Sequence, residues 1–515
     1  MSRSGNKGAP LDAGVPAHWI GGAWEPVGDP RAQLADPAHV VRSANPAYPS
    51  ETVWMGLCEP EAADRAVAAA HGAWRAWRDA GFEARKTLLL AWQSVTQRHV
   101  ERIARCITRE MGKTLAESRL EAKALGEKVS VTLDPISQGR VGGYQLPISE
   151  SRRGTCEFRP HGVMAVIAPF NFPAHLANGH FVPALLAGNT IVLKPSERTP
   201  AVGQLLGELS AEAGFPPGVF NVVQGGAATA ARLVSHPDVD GILFTGSWPV
   251  GRRILQANLD RPGRIVALEM GGSNASIVCG DCDLRQAAIE CVRASFATTG
   301  QRCTCTRRIV VHESVADRFI AALGRAASTL VVGPGDAPEP TFMGPLVTEG
   351  AVHAALEFQR TRARGGARVV MQSTRLDREG WFLTPGIMAV DRFTRETDAE
   401  VFAPIVQVAV AASDDDLVEQ ANASDFGLAA SVFTQDPQRW QRIARDIRAG
   451  CVNWNVGTAG ASSKLPFGGL GLSGNHRPAA AFSVDYCAYP VAHIEERGPS
   501  APVPEGMLWK DDWLA

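Results

Sequence analysis

From residue 162 onward, short apolar runs alternate with stretches of helical periodicity, the strongest architectural signal in the chain. Runs at 162–168, 189–193, 219–223, 241–245 and 265–269 have the length of buried strands. Helix-like segments separate the first four, and a loop-rich helix precedes the last. Strand, crossover helix and strand in repetition predict a parallel, doubly wound sheet. A second series follows: strand 275–279, helix 283–299, strand 308–312, helix 314–330, strands 368–371 and 406–411, and helix 414–423. Upstream, 18–24 reads as strand and turn about Gly21-Gly22. The span 59–111 reads as helix, with Ala66, Val67, Ala70 and Trp74 at helical spacing, and 113–134 as further helix. Residues 144–158 alternate as a strand. Alternation returns at 483–494, a candidate to pair with that strand as an arm.

A length of 515 residues exceeds what one core usually serves, so two or three structural units are expected. Hydrophobic content of 45% and charged content of 20% are those of an ordinary soluble globular protein. The net charge of -2, from 51 basic and 53 acidic side chains without a long block of one sign, argues against nucleic acid or an anionic membrane as partner. Residues 1–17 read as a disordered polar leader without a signal-peptide core, and no apolar run has membrane-spanning length. Ten scattered cysteines fit a reducing compartment, so the expected location is the cytoplasm.

Ligands of doubly wound sheets bind at the carboxyl ends of the strands. Here those ends carry Asn171, Lys194 and Glu197, Gly246 and Ser247, and Glu269 before Gly271-Gly272. A carboxylate at the end of an apolar run is desolvated, which raises its pKa toward the range of a general base, and this singles out Glu269. Asn171 can donate its amide to a developing oxyanion. Lys194 and Glu197 suit ribose hydroxyls, with the carboxylate repelling an added 2′-phosphate, although an ordinary solvated pair reads the same way. Gly246, Ser247 and Gly251 suit a phosphate at a helix start, or an ordinary βα turn. Cys303 follows a helical pattern that runs out at Gly300, with Arg302, Arg307 and Arg308 beside it. A thiolate attacks carbon, so nearby positive charge or a helix-end dipole suits an activated nucleophile; the alternative is an inert buried cysteine. Gly469 to Gly474 spells GxGxxG but follows no apolar strand, so a loop turning near the site is the better reading. The Cys279 and Cys282 pair has CxxC spacing but no matched partner pair, so no metal is expected. His175 and His180 read as packing residues rather than ligands.

Seven motifs in order then resemble the aldehyde dehydrogenase family over nearly the whole chain. They are Pro169-Phe-Asn-Phe-Pro173, Lys194-Pro-Ser-Glu197, Phe244-Thr-Gly-Ser247, Leu268-Glu-Met-Gly-Gly272, Gly300-Gln-Arg-Cys303, Glu400-Val-Phe-Ala-Pro404 and Pro466-Phe-Gly-Gly469. The resemblance implies an α/β fold with a Rossmann-type parallel-sheet cofactor domain (18–140 and 161–270), an α/β catalytic domain (271–482), a β oligomerisation arm (141–160 and 483–497) and a C-terminal tail (498–515). It implies NAD as cofactor, a small-molecule aldehyde as substrate, and a homodimer or homotetramer. Cys303 would be the nucleophile, Glu269 the base that activates water, and Asn171 with the Cys303 N–H the oxyanion site. Lys194, Glu197, Gly246, Ser247, Gly251, Glu400 and Phe402 would meet the dinucleotide.

Within the family the likeness is nearest to members acting on N-succinylglutamate 5-semialdehyde. It rests on Asn178-Gly-His180, Gly300 to Cys305, Val452-Asn-Trp-Asn455, Gly474-Asn-His-Arg-Pro478 and Asp485-Tyr-Cys-Ala-Tyr-Pro490. Such a substrate carries three carboxylates, for which Arg302, Arg307 and Arg477 are the candidate partners. Ala403, Ser273, Ala275 and Thr299 depart from the usual pattern without removing a group the reaction needs. A CoA-acylating relative would commonly lack Glu269, and a non-catalytic one would be expected to have lost Cys303 or Asn171.

Overall fold

Two seven-stranded sheets organise the computed structural model, which describes residues 15–31, 36–498 and 503–515. The leader expected over 1–17 lies outside the described residues except for its last three, and Ala17 already belongs to the first strand. The first sheet runs Ile265–Met270, Gly241–Gly246, Val163–Ile167, Thr190–Lys194, Phe220–Val222, Ala17–Ile20 and Ala23–Pro26. Its first five strands are parallel, and the last two form a hairpin added antiparallel at the edge.

The apolar runs are continuous because both faces of this sheet are covered. Met164 and Val166 join one core with helices Phe82–Arg98, Val100–Met111, Leu115–Leu133, His175–Ala187 and Pro200–Glu212. Val163, Ala165 and Ile167, pointing the other way, join a second core with helices Ala62–Asp79, Ala227–Ser235 and Trp248–Gln256.

The second sheet runs Arg368–Met371, Gly386–Ala389, Ile405–Ala411, Thr306–His312, Asn274–Val278, Ala429–Phe433 and Cys451–Trp454, with only the first strand antiparallel. It divides its side chains in the same way: Ile309 and Val311 face one core, and Val310 faces the other.

One expectation is refined and one corrected. The helical span 59–111 divides into three helices, interrupted at Gly81, whose φ of 82° no helical residue adopts, and at His99. The span 144–158 is a hairpin, Tyr144–Pro147 and Arg152–Pro160, because the polar run 149–151 turns the chain and the Ile148 N–H donates to the Arg152 carbonyl. Strand Ala488–Glu496 pairs antiparallel with Arg152–Pro160, which completes a three-stranded arm.

Candidate active site

Between the two sheets lies a cavity of about 730 Å³. Its wall includes Asn171, Lys194, Glu197, Gly246 and Ser247 from the carboxyl ends of the first sheet, with Glu269 at the end of its outermost strand. Cys303, Glu400 and Phe402 enter from loops of the second sheet.

The backbone of Glu269 is held on both sides, by strand Gly241–Gly246 and by a bridge to Gly474. The loop spelling GxGxxG lies along its strand: the Met270 N–H donates to the Ser473 carbonyl at 2.9 Å, and the Leu268 N–H to Asn475 Oδ1 at 2.7 Å. Gly474 is bare because a Cβ there would stand 2.2 Å from the Leu268 carbonyl oxygen. This loop therefore seals the sheet edge behind Glu269 and is not a phosphate cradle. The Glu269 side chain is buried, its Oε1 has no protein partner, and burial pushes its pKa up from 4.5 to about 8, against a Gly469 backbone bond that lowers it.

Cys303 sits at the other wall, beyond helix Leu284–Phe296 and the short turn Ala297–Gly300. Cys303 follows the carboxyl end of that helix, the end whose dipole does not favour a thiolate. Burial raises the thiol pKa far above its ordinary range, the Glu269 and Glu400 carboxylates add to the effect, and Arg307 only partly opposes it. The expectation that Arg302, Arg307 and Arg308 ionise the thiol is thus corrected, and the geometry gives the reason. Arg302 pairs with Glu117 at 2.8 Å. Arg307 is fully buried and donates to the carbonyls of Gly300, Arg302 and Ala403. Arg308 donates to the carbonyls of Ser273, Gln420 and Ala421.

The same contacts leave Arg307 no freedom to meet a substrate. Arg302, Arg307 and Arg477 all stand outside the cavity wall, Arg477 as an exposed residue whose backbone packs on Gly468.

Asn171 Nδ2 donates to the Gln301 carbonyl at 3.0 Å, tying the first sheet's Asn171 loop to the residue two before the thiol. Its own carbonyl accepts from Lys113 Nζ at 2.8 Å. Lys113 is buried in an ion pair with Glu121, whose Oε1 accepts the N–H groups of Ala174 and His175 at 3.0 Å each. On the far side, Asn274 Nδ2 donates to the carbonyls of Cys303 and Cys305 at 2.7 and 2.8 Å. Lys113, Asn274 and Gln301 were not singled out from the sequence. Only Gln301 had a signal there, as part of a motif.

Lys194 is buried and reaches Glu197 at 3.4 Å, while the Glu197 side chain is 45% exposed. Burial works against the Glu197 carboxylate, but Lys194, a backbone bond and Arg198 outweigh it and hold its pKa below the ordinary value. Gly246 and Ser247 line the cavity and precede helix Trp248–Gln256, whose Val250 also stands at the wall. Gly251 lies within that helix off the cavity wall, and its missing Cβ makes room for the Met270 sulfur. Glu400 Oε1 accepts the Gly272 N–H at 3.0 Å, and Phe402 meets Phe170 edge-on at 5.9 Å. His180 is buried between Tyr486 Oη and Thr245 Oγ1, each at 2.9 Å, and burial lowers its pKa to about 3, so it is neutral. Among the described residues no group of three or more His, Cys, Asp and Glu is placed to hold a metal.

The model of the aldehyde dehydrogenase family matches residues 34–489. N-succinylglutamate 5-semialdehyde dehydrogenase of Novosphingobium aromaticivorans is 40% identical over 468 residues, covering 90% of this chain and 98% of that one. Among solved structures, an Escherichia coli NADP-dependent enzyme superposes with a TM-score of 0.87 at 31% identity, covering 94% of this chain and 98% of that one. PnpE in complex with nicotinamide adenine dinucleotide gives 0.88 at 29%, covering 95% and 99%.

Proposed function

We propose, from the premise that this chain belongs to the aldehyde dehydrogenase family, that it oxidises N-succinylglutamate 5-semialdehyde to N-succinylglutamate with NAD. The observation that carries the reading is the convergence of Cys303, Glu269 and Asn171, from both sheets, on one cavity that also holds the dinucleotide candidates other than Gly251. The residues present fit a nicotinamide dinucleotide. Gly246 and Ser247 offer a helix start to the pyrophosphate, Lys194 and Glu197 suit a ribose diol, and Glu400 and Phe402 suit the nicotinamide half. When bound, that group accepts a hydride. The half-exposed Glu197 carboxylate repels a 2′-phosphate, which favours NAD over NADP.

In this mechanism Cys303 Sγ adds to the aldehyde carbon as its proton passes to water, and Asn171 Nδ2 with the Cys303 N–H stabilises the oxyanion of the thiohemiacetal. Loss of hydride from that carbon gives a Cys303 thioester. Glu269 then takes a proton from water as the water oxygen bonds to the acyl carbon, and the C–S bond breaks to release the acid and restore the thiol. A group with a pKa of about 8 suits this step, since it is partly ionised near neutrality yet basic enough to accept the proton.

The units assigned are 18–140 with 161–270 for NAD, 271–482 for catalysis, and 141–160 with 483–497 for an arm that joins copies. Ten free cysteines support a reducing, cytoplasmic setting. The test is NADH formation by the purified protein on a panel of aldehydes including the succinylated one, with NAD or NADP and with or without CoA. Turnover is expected with NAD and independent of CoA. Strong activity on another aldehyde with none on the succinylated substrate would remove the substrate assignment and leave the class intact.

A further inference from the structure

Three residues in succession ahead of the Cys303 loop have positive φ: Thr298 at 52°, Thr299 at 57° and Gly300 at 71°. Glycine is required at the third, where a Cβ would meet the Ala403 carbonyl oxygen at 2.2 Å. Threonine does not suit the first two. Its branched Cβ crowds the backbone in the left-handed region, so it stays there only when its surroundings hold it.

Each threonine has a holder. Thr299 Oγ1 donates to the Gly344 carbonyl at 2.9 Å. Thr298 is gripped by Glu117, from the first turn of helix Leu115–Leu133. Glu117 Oε1 accepts the Thr298 N–H at 2.9 Å and the Thr298 hydroxyl at 2.8 Å. The same oxygen accepts Arg302 Nη2 at 2.8 Å, while Arg302 Nε donates to Thr298 Oγ1 at 2.7 Å. The Gln301 N–H closes the turn on the Thr298 carbonyl at 3.0 Å. One carboxylate oxygen therefore ties the start of the strained turn to the residue next to the thiol. The side chains of Glu117 and Arg302 are 16% and 22% exposed, so these charge-assisted bonds are largely shielded from water.

We propose that Glu117 is a positioning residue for Cys303. Acting through Thr298 and Arg302, it holds the left-handed turn that aims the Cys303 sulfur and N–H into the cavity. Glu117 does not line that cavity. The inference rests on the reading of Cys303 as nucleophile and gives Arg302, whose guanidinium is committed to this clamp, a positioning role instead.

The test uses the full chain with propanal and N-succinylglutamate 5-semialdehyde in parallel. Steady-state NADH formation is read beside the rate of iodoacetamide alkylation at Cys303, followed by peptide mass. Glu117→Ala is expected to lower kcat and the alkylation rate about tenfold each, with NAD affinity within about twofold of the parent. Adding Thr298→Asn is expected to restore most of the loss, because asparagine tolerates the left-handed region without a clamp. A Glu117→Ala enzyme within about twofold of the parent in both rates would overturn the proposal. So would a loss that Thr298→Asn leaves untouched. Turnover retained by Cys303→Ala would instead bring down the nucleophile reading on which the proposal stands.

Discussion

At the scale of single residues, burial does two things to Glu269. It sets a pKa of about 8, so the thioester-hydrolysing step is expected to speed up as pH rises from 6 to 9 and to level above it. It also costs stability. The folded state holds the proton to higher pH than the unfolded chain, where the ordinary value is 4.5. Stability from this group is fully present below 4.5 and is lost as pH rises toward about 8. Glu269→Gln keeps the shape and removes the titration. The variant is expected to give a burst of NADH with a slow steady state, and to unfold at higher temperature than the parent at pH 8.5, the difference shrinking toward pH 5. Equal unfolding midpoints across that range would contradict the raised pKa. Rapid mixing with excess aldehyde checks the burst, and its absence would place Glu269 outside the hydrolytic step.

The residues that act on substrate were more legible in the sequence than those that hold them. Cys303, Glu269 and Asn171 stand at ends of predicted elements, where chemistry gathers in a doubly wound sheet. The three arginines near Cys303 misled because closeness along the chain says nothing about where a guanidinium ends. Arg307 and Arg308 are consecutive in a strand and so point to opposite faces, each spending its donors on different carbonyls. Asn274 and Lys113 lack a local pattern. Their role exists only once distant segments have met.

At the scale of elements, helix Leu115–Leu133 does the most to assemble the site. Thr114 caps its start by accepting from the Glu117 N–H, and Glu117 and Glu121, one turn apart, lie on one face. Glu117 reaches the Cys303 loop and Glu121 the Asn171 loop, so one rigid rod sets the spacing between nucleophile and oxyanion donor. The periodicity of 113–134 predicts this helix, but its apolar face marks only the core, and the polar residues that matter lie along its border.

Lys113, just before the cap, completes the device by pairing with Glu121, donating to the Asn171 carbonyl and lying 3.7 Å over the Phe172 ring. Lys113→Met is expected to strand the Glu121 charge in the interior and cost roughly 3–5 kcal/mol, the range for breaking one side of a buried pair. The double variant Lys113→Met, Glu121→Gln should recover part of that loss, because the two residues share one network. Denaturant midpoints for the three variants decide it. A single variant as stable as the parent would mean that Lys113 is not the partner that Glu121 requires.

At the scale of the whole molecule, the arm has two unlike faces. Residues directly opposite in antiparallel strands share a face, and the pairing puts Tyr144, Cys156 and Ala492 in one row and Leu146, Gly154 and Ile494 in the next. The opposite face carries Gln145, Thr155 and His493, then Pro147, Arg153 and Glu495. The apolar face is open in the single chain, with Tyr144 59% and Ile494 70% exposed. A sheet of three strands that leaves such a face and the Tyr144–Pro147 edge uncovered offers an apolar surface for a second copy of the chain to cover. The protein is therefore expected to sediment as a dimer or larger at micromolar concentration. Ile494→Asp, which places a charge on that face, should weaken association about tenfold or more, since burying an unpaired carboxylate opposes the contact. Activity per chain should fall less than association does, because Ile494 stands outside the cavity wall. Sedimentation velocity across a dilution series measures both proteins. A parent that runs as a monomer, or a variant that associates as tightly as the parent, would show that this face is not the one joining the copies.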